Sequence, residues 1–172
     1  MQEMSKRVRA VALPPGASIA QLYRGSNLAD AYAVDLPNAQ ARQMDMQSLA
    51  RCLLGSQPGW AQGLMAVRDA IVARFGIKTA KQLAAQRDGR IGIFRIYAVS
   101  DDEIIVGEDD SHLDFRLSVL RNRDAGRHGS VTVASVVHCH NAVGRAYIVL
   151  IRPFHKLIVR RSLARAARAG FA

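Results

Sequence analysis

Residues 103–140 read EIIVGEDDSHLDFRLSVLRNRDAGRHGSVTVASVVHCH, and the hydrophobic period of this stretch decides the fold class. Leu113, Phe115, Leu117 and Val119 fall on one face of an extended segment, with Asp114, Arg116 and Ser118 on the other. Residues 103–108, 113–121 and 130–140 each read as strands, and residues 91–99 add another upstream. The links between them are short and rich in turn residues. A parallel crossover takes a dozen residues or more, so these strands are antiparallel neighbours, a four-strand meander. Its alternation implies one covered face and one wet face. In the last strand Val131, Val133, Ser135, Val137 and Cys139 form the more apolar side. Thr132, Ala134, Val136, His138 and His140 form the other, and period alone leaves open which side points inward.

Outward from the meander the period changes. From residue 144 onward the pattern is helical, with Tyr147, Ile151, Phe154 and Ile158 at spacings of four, three and four. Pro153 lies inside this helix and should kink it, because it removes a backbone donor and crowds the preceding turn. Upstream, residues 31–36 alternate and form a strand ended by Pro37. Asp45 can cap a short helix carrying Met46, Leu49, Ala50, Leu53 and Leu54, stopped at Gly55. Pro58 starts a further helix with Trp60, Leu64, Val67, Ile71 and Phe75 on one stripe, and Thr79 caps a third that runs to about residue 87. The order predicts an α+β domain over residues 16–168, behind a flexible tail at 1–15: a curved antiparallel sheet, two or three short helices after the first strand, and a long C-terminal helix. One more strand is expected within residues 17–23.

A chain of 172 residues suits one domain, and 49% hydrophobic against 22% charged residues excludes a mainly disordered state. Two cysteines, Cys52 and Cys139, exclude a disulfide framework or a cysteine-rich zinc site. The basic N-terminus is broken by Pro14, Pro15 and Gly16, unlike a secretory segment. The apolar stretch 143–159 is interrupted by Arg145, Arg152, Pro153 and Lys156, unlike a membrane span. A cytoplasmic protein is therefore expected. The net charge is +10, and residues 145–172 hold seven basic side chains and no acidic one. Such a run describes a solvated helix face, or one that attracts nucleic acid or an anionic membrane.

The segments PGWAQGLMAVRDAIVARFGIKT, VGEDDSHLDFRLSV and VHCHNAVGRAYIVLIRPFHKLIV resemble a bacterial family known as a domain of unknown function, family 2867. The likeness runs from about residue 28 to 163. Family members occur alone or fused behind a dinucleotide-binding, short-chain-dehydrogenase-like domain, which implies a dehydrogenase-like protein partner. More distantly, the element order is similar to the START / Bet v 1-like (SRPBCC) helix-grip fold. That similarity implies a carrier for a small hydrophobic or amphipathic ligand, or a cyclase-like enzyme.

No strong catalytic or cofactor motif is present. Gly55, Gly59 and Gly63 do not form a phosphate loop after a strand, and a Gly-x-Ser-x-Gly elbow is missing. No cofactor and no metal is expected. His112 and Asp114, two apart, are the candidates for an acid–base pair of the cyclase or hydratase kind, because a carboxylate beside an imidazole holds its tautomer. The same row with Arg116 also describes a polar outer face with weak ion pairs. His138 and His140 project from one face and could hold a metal with His112 or Asp114, or simply hydrogen-bond at a sheet edge. On the helix Tyr147, Ile151 and His155 share the side that would face the sheet. With Trp60, Phe94, Phe115, Leu117, His138 and His140 they form the expected ligand-binding set, or else a packed plug. Cys139 reads as a small buried residue rather than a nucleophile.

Overall fold

The computed structural model describes residues 8–55, 89–123 and 129–171. Its seven strands are β1 (Arg9–Ala10), β2 (Leu28–Asp35), β3 (Arg90–Ile91), β4 (Phe94–Val99), β5 (Glu103–Asp109), β6 (Leu113–Asn122) and β7 (Ser130–Cys139). Among the described residues the α-helices are α1 (Ala39–Gln43), α2 (Met46–Leu54) and α3 (Ala142–Arg168). All strands join one curved antiparallel sheet in the order β1-β2-β7-β6-β5-β4-β3, with the long C-terminal helix α3 gripped by it. The architecture is the expected helix-grip-like α+β arrangement.

Four expectations need correction. The strand read at 91–99 is two strands, because Gly92 sits in the left-handed region at φ 61° and turns the chain into a hairpin. The meander therefore has five strands. The segment 17–23 holds a 3-10 turn, Ala20–Leu22, instead of a strand. Arg9 and Ala10, assigned above to the tail, pair with Ala33 and Tyr32 at the sheet edge, and Arg9 reaches Asp35 at 2.8 Å. The helices expected at 58–75 and 79–87, with Trp60, lie outside the described residues.

The fourth correction concerns the wet face. Leu117, Val119, Val131 and Val133 point to the concave side and meet Leu49 and Leu53 of α2 and Leu163 and Ala166 of α3. The convex side is covered too, since Ala17 and Ile19 pack on Ala31, Ile105, Ala134 and Val136. That strap is fastened by Glu103, a buried carboxylate that accepts from the backbone N–H and hydroxyl of Ser18 and from the hydroxyl of Ser118. A buried charge is tolerable only when hydrogen-bonded in this way. Both sides of β7 are thus inward, which is why its period could not choose between them.

Side-chain oxygens start the helices. Asp45 accepts from Ser48 N–H before α2, and Asn141 accepts from Gly144 N–H before α3. Gly55 follows α2 as expected. Arg121, buried under α2, donates to the carbonyls of Arg42 and Met44 as the chain leaves α1. α3 runs without a break through Pro153, whose missing N–H would have bonded the carbonyl of Val149, a residue 77% exposed to water. It ends in a Schellman motif, with Gly170 N–H on Ala167 and Phe171 N–H on Ala166. Phe171 itself takes a left-handed φ of 62° and is 1% exposed, so core burial of its ring offsets the strain.

Candidate functional site

Among the described residues, two apolar clusters fill the concave side and leave a space between them. Near the end of α3, Leu163, Ala166, Ala167 and Phe171 plug the sheet together with α2. Near its start, Ile148 packs on Leu28, Leu113 and Val137. Between the two clusters lies a cavity of about 210 Å³. Its walls are Phe94, Phe115, Leu117, Val133 and Val137 from the sheet side and Tyr147, Ile151, Ile158 and Val159 from α3, with Leu53 and Leu54 of α2 beside them. Phe94 and Phe115 meet edge to face with centroids 5.8 Å apart.

A few polar side chains interrupt this apolar lining: Glu108, Asp110, His112, Ser135, His155 and Ser162. Glu108 is held by Arg90 at 2.7 Å, both nearly buried. His112 precedes β6, is 3% exposed, and meets the ring of Tyr147 edge-on at 5.8 Å. Its carbonyl accepts from His140 N–H and lies against Gly144, where an added Cβ would stand 2.1 Å from the oxygen. Only a glycine lets α3 start this close to the sheet.

His155 Nε2 lies 3.0 Å from Asp30 Oδ1, and both side chains are about one-fifth exposed, 21% and 18%. The Asp30 carboxylate accepts from His155 Nε2 and so fixes the orientation of the ring in the cavity wall. Asp30 stands directly opposite Ser135 across β2 and β7. Asp30 was missed because the first strand was read from residue 31. Carrying the alternation back through Leu28 and Asp30 to Tyr32 and Val34 would have put it on the concave face.

The expected site residues separate into two groups. Phe94, Phe115, Leu117, Tyr147, Ile151, His155 and His112 line the cavity. Asp114, His138 and His140 do not, since they project from the convex face. There His138 Nε2 donates to the Leu22 carbonyl at 2.7 Å, and His140 pairs with Asp114 at 2.9 Å in a half-exposed contact. His112 and Asp114 therefore do not form one acid–base unit: His112 belongs to the turn before the pleat, so the spacing of two carries no shared face. For the same reason His112 cannot complete a cluster with His138 and His140, and no metal-holding group of three occurs among the described residues. Burial pushes the Cys139 thiol up, against a smaller opposing pull from Arg145, which disfavours the thiolate.

No described helix is long and apolar enough to cross a membrane. The model of a family described as a protein of unknown function (DUF2867) matches residues 22–162. No curated protein and no solved structure matches the chain.

Proposed function

The chain belongs to the DUF2867 family, and from that premise we propose that it is a binding module for a small hydrophobic or amphipathic molecule held between the sheet and α3. The carrying observation is the 210 Å³ cavity, apolar over most of its wall with a few convergent polar groups. That is the usual composition of a small-molecule site, where apolar walls supply affinity and polar groups fix orientation. Native mass spectrometry of the purified chain should show a retained small molecule or uptake of cyclohexane. Ile151→Trp, which fills the cavity from the helix side, should abolish uptake while leaving the circular-dichroism spectrum intact. Uptake unchanged in that variant, or absent in the wild type, defeats the proposal.

Acid–base catalysis of the cyclase or hydratase kind is the second reading, and the His155–Asp30 contact favours it. A carboxylate behind a cavity-lining imidazole is the minimal unit for moving a proton on a bound substrate. Conversion of a bound candidate substrate, lost in His155→Gln with binding retained, would distinguish catalysis from carriage. Retained conversion would remove His155 from that role.

A further inference from the structure

The polar groups at and just behind the cavity wall narrow the ligand class, an inference that rests on the binding reading above. Asp30 and Ser135 are directly opposed on β2 and β7. Their neighbours on the same face, Tyr32 and Val133, belong to the concave core. Opposed residues of an antiparallel pair hold their Cβ atoms about 4.5–5.5 Å apart, so a single small group can reach both side chains. Ser135 is 1% exposed and lines the cavity, yet its Oγ has no hydrogen-bond partner among the described residues. Asp30 Oδ2 is buried and equally without one, although Oδ1 accepts from His155. Buried oxygens are nearly always satisfied, so Ser135 Oγ on the cavity lining and Asp30 Oδ2, just behind it across the strand pair, together call for a bound group.

We propose that the ligand is an alcohol whose hydroxyl docks on this pair, its proton donated to Asp30 Oδ2 and its oxygen accepting from the Ser135 hydroxyl. A hydroxyl is the smallest group with one donor and acceptor capacity together. A carboxylate offers acceptors only and would set its charge against Asp30. A hydrocarbon leaves both oxygens unmet. Size sets a second limit. An apolar cavity of about 150 Å³ takes benzene, and pockets for drug-sized ligands begin at about 300 Å³. The 210 Å³ here suits one ring with a short substituent.

Isothermal titration of the full chain with cyclohexylmethanol, methylcyclohexane, cyclohexanecarboxylate and cyclohexylmethylamine tests this directly. Cyclohexylmethanol should bind about tenfold more tightly than methylcyclohexane and cyclohexanecarboxylate, and more tightly than cyclohexylmethylamine, whose ammonium must shed its hydration and offers no acceptor to the Ser135 hydroxyl. Ser135→Ala and Asp30→Asn should each reduce the preference for the alcohol over methylcyclohexane to about threefold or less. Ser135→Ala removes a buried unpaired hydroxyl and should fold, so it decides the matter if Asp30→Asn does not. If the hydrocarbon, acid or amine binds as tightly as the alcohol, or if Ser135→Ala leaves the preference intact, the hydroxyl assignment is wrong and the cavity reading survives. If none of the four binds, both fall.

Discussion

Gly144→Ala inverts the usual rule for a helical glycine. In an ordinary helix interior the change stabilises by about 1 kcal/mol, because alanine has the higher propensity and the unfolded chain loses freedom. Gly144 lies in the first turn of α3, and its ideal Cβ would stand 2.1 Å from the His112 carbonyl oxygen, 3.0 Å from the carbonyl carbon and 3.3 Å from Cys139 Cβ. The oxygen cannot swing aside freely, since it accepts from His140 N–H at 3.0 Å. Relief therefore requires α3 to back away from the strand end by about 1 Å, against a usual overpacking cost of about 1–3 kcal/mol. A Cβ at 2.1 Å from a backbone oxygen lies far inside contact, which puts the cost in the upper part of that range, about 2–3 kcal/mol. Subtracting the propensity gain leaves a net loss of about 1–2 kcal/mol. For a chain of this size that lowers Tm by about 2–8 °C. Urea unfolding monitored by circular dichroism measures it, with Gly144→Ser as a companion carrying the same Cβ. A neutral or stabilised Gly144→Ala would show that the close approach of α3 to residue 112 is not a constraint, and the shape of the cavity beside Tyr147 would lose its main support.

Glu103→Ala should destabilise by about 2–4 kcal/mol, because it leaves donors of Ser18 and Ser118 unpaired under the strap; denaturant titration with wild-type stability would contradict the fastening role. Asn141→Ala removes the acceptor for Gly144 N–H and should cost about 1 kcal/mol in the same assay. Burial, and then the hydrogen bond to Asp109, push Tyr97 from 10 up to about 12. The folded state thus holds that proton more tightly than the unfolded one. Its contribution to stability is whole below pH 10 and disappears as pH rises through about 12. Phenolate absorbance should show this tyrosine titrating late, and Asp109→Asn should bring it part of the way back. Titration of Tyr97 near 10 in the wild type would contradict the contact.

Much of the scaffold was legible from local rules. Asp45 and Gly55 bracket α2, and the alternation Leu113, Phe115, Leu117, Val119 places β6 and its inward side. These signals are local because capping and pleating involve neighbours in sequence. The strap was not legible, since Ala17 and Ile19 look like any loop residues until the sheet curves beneath them. Nor was the hairpin at Gly92, where one left-handed residue breaks a run with strand composition.

By itself, the sequence determined the antiparallel meander, the long terminal helix and the apolar character of what lies between them, because period and turn length act over a few residues. Which polar groups meet was decided only by tertiary structure. Asp30, Ser135 and His155 are far apart in the chain and come together because β2 pairs with β7 while α3 packs on both. His112 and Asp114, two residues apart, part company because the chain enters the pleat between them. Register and packing are long-range properties, and no local spacing encodes them.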